Sequence, residues 1–354
     1  MKDLKILHLA DMHLERNFAH LTQEQAALRK SETLINFKNV IDKFSDADVV
    51  LMAGDVFDGE FSKSTSDFLN LVFTSNRDKY FFISLGNHDN LSLSCIDNFL
   101  DNLPDNVKVF GECIEKVHLE KHDADIYGVS FSSDYSYASL INNFNVDNPD
   151  RLNVMVIHGD VGCESDYNPM SVSDLSSTGA DYIALGHVHK FSGIEKINNT
   201  HYAYSGVFEP GGFDECDECG VIYGTLQKGN VELGFYPVSV RQYKTVDVDV
   251  SGFLSNEEVI DYINGIVDPD YLYKINLIGK RVFAKAPKEV YDRLICCFHK
   301  VVEDYCKENN SVLDYCDEFS LRGKTACELL KHKDVDEYVY KVAHDALTRL
   351  MCGD

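Results

Sequence analysis

Short apolar runs, each cut off by polar residues, recur along the N-terminal part of the chain. Residues 4–10 (LKILHLA) stop at Asp11, 48–53 (DVVLMA) at Gly54-Asp55, and 80–85 (YFFISL) at Gly86-Asn87. Residues 152–157 (LNVMVI) stop at His158, and 182–185 (YIAL) at Gly186-His187. Runs of this length, rich in Val, Ile, Leu and Phe, predict buried strands. Between them the spacing turns helical. Residues 23–44 carry Leu28, Leu34, Ile35, Val40 and Ile41 on one face, and 65–76 carry Phe68, Leu69, Val72 and Phe73. After His189 the pattern shifts to strands at 200–204, 220–226 and 231–236, the last two split by a Lys228-Gly229-Asn230 hairpin signal.

Residues 1–240 therefore read as one α/β domain with added antiparallel strands. Residues 241–354 read as a smaller α+β domain. It begins with a strand-like connector over 240–252 and a strand over 271–282 that breaks at Gly279. A helix is predicted over 288–307 behind Pro287, and another over 325–350, interrupted around Lys333. Leu294, Ile295, Phe298, Val301 and Val302 would line the first of these, as an internal core or as a docking face for a partner or second copy.

A chain of 354 residues, 44% apolar, is ample for a large core and more than one domain. The formal charge of -25 repels nucleic acid and anionic membranes unless a local patch reverses the sign. The start, MKDLKILHLAD, is too short and broken for a signal peptide, and no run approaches the ~20 apolar residues of a membrane span. Eleven cysteines is an odd count, so a reducing cytoplasm with mostly buried thiols is expected. Cys216 and Cys219 form a CxxC with no second pair nearby, which reads as a surface turn rather than a structural zinc site.

The polar residues at the strand ends carry the chemistry. Asp11 and His13 form D-x-H, Asp55 lies in GDVFD with Asp58 three residues on, and Asn87-His88-Asp89 follow Gly86. His158 ends its run, and His187 and His189 form H-x-H. The ends of parallel strands share one sheet edge, where α/β ligand sites form. Carboxylate, amide and imidazole donors suit Mn, Fe or Zn. A lone D-x-H is more often a turn than a ligand set. Five such events after five strand-like runs, taking up five of 13 histidines, point to a metal site.

D-x-H, GDxFD, GNHD, a later His and GHxH resemble the calcineurin-like metallophosphoesterases. The segment GDVFDGEFSK and the FDE-containing turn within AYSGVFEPGGFDECDECGVI resemble the DNA-repair exonuclease branch of SbcD type. The likeness covers residues 1 to about 240. Where that branch would place a basic residue near the FDE turn, this chain has Phe208-Glu209-Pro210.

The resemblance implies a four-layer sandwich of two mixed β-sheets flanked by helices, with a small C-terminal capping domain. It implies two divalent metals, expected as manganese, with iron, zinc or magnesium as alternatives. Asp11, His13, Asp55 and His189 would hold one and Asp55, Asn87, His158 and His187 the other, with Asp55 bridging. It gives His88 a catalytic role, stabilising the transition state or protonating the leaving group. Asp89 reads as the partner that orients His88, as a group that supports the site from behind its ligands, or as a helix cap for Leu91 onward. Asp58 reads either as support for the site or as a loop-amide acceptor.

Metal-dependent phosphodiester hydrolysis is thus expected. The branch implies a DNA exonuclease or endonuclease subunit that works as a dimer with an SbcC-like coiled-coil ATPase. A small-molecule or nucleotide phosphodiesterase, or a binding subunit, are the alternatives. Basic residues over 241–288, Arg281 and Lys285 among them, read equally as a phosphate-contacting stripe or as a solvated face.

Overall fold

The first apolar run forms β1 (Leu4–Leu9), and the next two form β2 (Val49–Ala53) and β3 (Tyr80–Ser84). A computed structural model describes residues 3–283, 287–296, 298–305, 316, 321–332, 340–344 and 346–347. β1, β2 and β3 run parallel, joined through α1 (Gln23–Lys43) and α2 (Lys63–Ser75), and β4 (Val107–Val109) follows on the edge after α3 (Ile96–Leu100). The two long helices start where side chains can cap them. Thr22 and Gln25 close a reciprocal capping box on α1, and the Ser62 hydroxyl accepts from the Thr65 amide on α2. The hairpin β11 (Gly220–Gln227) and β12 (Asn230–Pro237) returns to lie antiparallel beside β1 and completes a six-stranded sheet, β12-β11-β1-β2-β3-β4.

A second six-stranded sheet runs β5 (Glu115–Leu119), β6 (Ala124–Gly128), β7 (Leu152–His158), β8 (Tyr182–Gly186), β10 (Thr200–Tyr204) and β9 (Glu195–Ile197). Its middle is parallel and its two edges are antiparallel. Every residue of β2, β7 and β8 is buried, because these strands are covered on both faces.

The period of two sorts their side chains. Ile6, Leu51 and Phe82 of the first sheet meet Ile126, Val154, Val156 and Ala184 of the second in one shared core. On the outer face of the first sheet, Leu7, Val50 and Phe81 pack against Phe37 and Ile41 of α1 and Leu69 and Phe73 of α2. On the outer face of the second, Met155 and Ile183 pack with Leu175 of α4 (Val172–Ser177). The result is an α/β fold of two mixed sheets flanked by helices.

The chain divides into two compact units, Met1–Val240 and Arg241–Asp354. The second holds a parallel three-stranded sheet of β13 (Tyr243–Asp249), β14 (Leu272–Gly279) and β15 (Phe298–Tyr305). A crossover helix, α5 (Asn256–Ile266), buries Val259, Ile260 and Ile263 against Tyr273, Ile275 and Leu277. This helix escaped the sequence reading, although Ser255 caps it.

The helix expected over 288–307 is not formed. A short 3-10 stretch, Lys288–Arg293, precedes β15, which pairs with β14 along its whole length, from Leu272 opposite Phe298 to Gly279 opposite Tyr305. Phe298, Val301 and Val302 have strand propensity, and a neighbouring strand with open hydrogen-bonding groups outweighs a loosely helical spacing. Ile295, expected on an apolar stripe, is exposed. Farther on, α6 (Leu321–Lys331) and a helical stretch at 340–344 are formed, while Lys333 lies outside the described residues. Among the described residues no helix is long and apolar enough to cross a membrane.

Candidate metal centre

The ends of β1, β2, β3, β7 and β8 bring the sequence motifs together across the two sheets. The turns are tight. Asp11, His13 and Asp55 all adopt left-handed backbone angles (φ 50°, 45° and 49°), and His187 sits at φ 108°. Such angles are uncommon outside glycine and concentrate at functional sites. Main-chain bonds hold them: the Asp11 amide donates to Gly54 O at 3.0 Å, and the His13 amide to Asp55 O at 2.9 Å. Gly86 is needed for close approach, since a Cβ there would run into the Asp55 carboxylate, and one on Gly54 would strike the His158 ring.

Asp11 and Asp55 are buried, and Asp11 accepts the His187 amide on both carboxylate oxygens, at 3.0 and 3.1 Å. Burial, then the Asp55 charge, push the Asp11 carboxyl well above its usual range. Burial also works to raise Asp55, but the charge that protonated His158, His13 and His88 rings would carry, with the His88 amide bond, lowers it. His158 is buried, which pushes its pKa down to about 4 and keeps it neutral, the form that can ligate a metal.

Donor chemistry tests whether these residues fit a metal. The Nδ1 of His13 lies 3.0 Å from Asp58 Oδ1, and that of His189 lies 2.7 Å from Glu215 Oε1. A carboxylate at neutral pH only accepts, so each Nδ1 carries a ring proton, and in the neutral ring each Nε2 is then a bare lone pair. Those two Nε2 atoms face each other at 3.2 Å. His158 repeats the pattern: Nδ1 donates to Ala53 O at 3.0 Å, leaving Nε2 3.1 Å from Asn87 Oδ1. His187 turns Nε2 to the Asp160 carboxylate at 3.3 Å and Nδ1 to the same Asn87 oxygen at 3.2 Å. Two groups of lone pairs therefore converge with nothing to donate to them. A cation in each resolves the conflict.

Three groups of candidate ligands lie close together: Asp11, His13 and His189; Asp11, Asp55 and His158; and His13, Asp58 and His88. Asp55 Oδ2 lies 3.8 Å from His13 Nε2 and 3.5 Å from His158 Nε2, so it reaches both. The structure thus gathers Asp11, His13, Asp55, Asn87, His158, His187 and His189.

His88 stands at the open edge, its side chain 47% exposed, with Nδ1 3.2 Å from Asp58 Oδ1 and its amide on Asp55 Oδ1 at 3.0 Å. The hydrogen bond to Asp58 raises its pKa. Asp58 is held far below the carboxylate range, because its bonds to His13 and His88 outweigh partial burial.

Of the roles expected for Asp89, the structure shows the supporting one and neither of the other two. The carboxylate beside His88 is Asp58. Asp89 is fully buried and accepts the amides of Gly86 (2.6 Å), Val56 (2.7 Å) and Phe57 (3.2 Å), so it neither orients His88 nor caps a helix. It ties the GDVFD turn to the GNHD turn.

Two supporting acids were missed in the sequence. Glu215, 26 residues beyond His189, also binds Arg16 and the Gly211 amide. Burial opposes these contacts with His189 and Arg16, yet its pKa falls to about 2. Asp160 faces His187 from the HGD that ends β7. The FDE turn and the HGD were the only local signals for them. Glu209, where a basic residue was sought, is buried against Arg29 and Asn36. Arg281 lies in the second unit beyond β14, and Lys285 lies outside the described residues.

The calcineurin-like phosphoesterase profile matches residues 4–191, more than half of the chain. The chain belongs to the calcineurin-like phosphoesterase family. A relative from Bacillus subtilis (strain 168), the uncharacterized metallophosphoesterase YhaO, is 29% identical over 266 residues, 71% of this chain. The match spans 64% of that relative, less than two thirds of its length. Among solved structures, TT1561 of Thermus thermophilus aligns over 67% of this chain and 100% of its own, with a TM-score of 0.42 and 9% identity. The 5'-nucleotidase precursor from the same organism covers 66% of this chain and 54% of its own, with a TM-score of 0.37 and 13% identity. Calcineurin-like phosphoesterases typically depend on two metal ions.

Proposed function

We propose that this phosphoesterase cleaves phosphodiesters of DNA, as the nuclease subunit of a repair complex of SbcCD type. The observation that carries phosphodiester cleavage is the His88–Asp58–His13 relay. One carboxylate holds a candidate metal ligand on one side and an exposed, protonatable imidazole on the other. When bound, two divalent ions would polarise the phosphoryl oxygens and activate water. Asp11, His13, Asp55 and His189 would hold one, and Asp55, Asn87, His158 and His187 the other.

The chain's own residues do the rest. Asp58 keeps the His88 proton on Nδ1 and raises the fraction of imidazolium, so Nε2–H points to whatever enters the open edge. His88 there stabilises charge on the phosphoryl group or gives its proton to the departing ester oxygen. Glu215 and Asp160 fix the ring orientations of His189 and His187.

DNA as substrate rests on the GDVFDGEFSK segment and its likeness to the repair branch. A coiled-coil ATPase, a second copy of the chain, manganese and a cytoplasmic location belong to that same reading. So does a capping role for residues 241–354. A nucleotide phosphodiesterase is the second reading. It is favoured by the pairing of Arg241 with Asp270, which takes positive charge away from a phosphate stripe.

The test is hydrolysis by the manganese-supplemented protein of linear duplex DNA, single-stranded DNA and a chromogenic phosphodiester, beside an Asp55→Ala/His88→Ala variant. DNA shortening that the variant lacks supports the nuclease. Cleavage of the small diester with DNA untouched overturns autonomous nuclease activity.

A further inference from the structure

The metal centre continues outward as a line of aromatic rings. The Tyr167 ring lies against His187, with centroids 5.0 Å apart and planes 36° apart. Tyr135 lies 5.7 Å from Tyr167, and Tyr137 stacks beside Tyr135 at 5.9 Å with planes only 11° apart. Exposure rises along the line: Tyr167 is half-buried, Tyr135 is 48% exposed and Tyr137 71% exposed. None of the three contributes to the clusters that form the cores of the fold.

The loops that carry these rings are tied down. Ser136 donates its amide to Asp166 O at 2.8 Å and receives the Asn168 amide on its own carbonyl at 2.7 Å. Asn168 is fully buried, and its side chain donates to His158 O at 2.7 Å and accepts the Leu140 amide at 2.7 Å. Asn90, two residues after His88, donates to Asp134 at 2.8 Å. The tyrosines are thus fastened to the strand end that carries His158 and to the turn that carries His88. Exposed rings on a loop with this many anchors form a preorganised surface, with little ordering entropy left to lose on binding.

We propose that Tyr135 and Tyr137, backed by Tyr167, form a stacking platform for a nucleobase of the substrate. This rests on the phosphodiesterase reading and names the group beside the scissile phosphate. The line of rings leads outward from His187, the direction in which a base joined through its sugar to a phosphate at the metal centre would extend, and every base has a π-face that a tyrosine can cover. The phenol faces accept any base, so the platform confers preference for base-bearing diesters without sequence preference. Its chemistry is the same for a free nucleotide and for the end of a DNA strand.

The probe is 2-aminopurine, whose fluorescence is quenched by stacking. It is supplied as its free nucleotide and within a single-stranded oligonucleotide, with metal-free full-length protein. The wild type should quench it, Tyr135→Leu/Tyr137→Leu should not, and Tyr135→Phe/Tyr137→Phe should restore quenching. Quenching of the strand alone assigns the base to DNA, and quenching of the free nucleotide assigns it to a small substrate. With manganese, the leucine variant should raise KM for a normal oligonucleotide about tenfold, with kcat within about twofold. An oligonucleotide of abasic residues should be cleaved equally by both proteins. Undiminished quenching by the leucine variant, or equal loss on normal and abasic strands, overturns the platform. If the wild type quenches the probe yet cleaves no phosphodiester, bis-p-nitrophenyl phosphate included, the platform stands and the phosphodiesterase reading falls.

Discussion

His13 and His189, 176 residues apart in the chain, face each other through bare Nε2 atoms 3.2 Å apart. Each ring is turned that way by a carboxylate behind it, Asp58 for His13 and Glu215 for His189. Removing the carboxylate frees the ring and the tautomer. Glu215→Gln is therefore expected to weaken divalent metal binding about 10–100-fold. Calorimetric titration with manganese checks this. His189→Ala should abolish one of the two binding steps and spare the other.

His88 and Asp89 are neighbours with opposite duties, and their variants should separate cleanly. His88→Ala is expected to lower kcat about 10²–10⁴-fold, leaving metal content and melting temperature unchanged. Asp89→Ala strands three buried amides and should cost about 3–9 kcal/mol of stability, at roughly 1–3 kcal/mol per unsatisfied group. Urea unfolding and metal-dependent phosphodiester turnover, measured on both variants, decide this. Equal stability loss in the two would contradict the assignment.

His8 provides a pH-dependent term far from solvent. It is fully buried between the sheets, taking the Tyr182 hydroxyl at 2.8 Å and meeting Leu185 O at 3.2 Å. Burial drops its pKa from 6.5 to about 3. The unfolded chain therefore binds a proton that the folded chain refuses. The stability is present above pH 6.5 and is lost as pH falls toward 3. Between pH 6.5 and 5 the loss should be about 2 kcal/mol. His8→Gln, which can keep both bonds but does not titrate, should lack this component when denaturant unfolding is compared at the two pH values.

Gly86 marks the place where β3 passes the Asp55 carboxylate. A Cβ there overlaps that carboxylate and the backbone behind it. Gly86→Ala should cost about 1–3 kcal/mol through overpacking and displace the shared ligand. Loss of manganese binding together with a lowered melting temperature is the expected result. Unchanged metal affinity would show that the turn can yield.

The sequence by itself determined the site's membership. Asp11, His13, Asp55, Asn87, His158, His187 and His189 stand at the ends of short Val-, Ile- and Leu-rich runs. Burial of such runs depends on local composition, which is readable one residue at a time. The helices α1 and α2 and the hairpin of β11 and β12 were legible for the same reason. Tertiary structure alone decided which carboxylate serves which histidine. Asp89 adjoins His88 in the chain, yet it turns inward to three amides, while Asp58 reaches His88 across a loop. Glu215 became visible only once β10 and the turn after it had folded back over His189. Residues 298–305 carry spacing that suits either a helix or a strand, and the open edge of β14 chose the strand. In each case the deciding term was a contact between distant segments. A pattern of residues along one segment does not contain it.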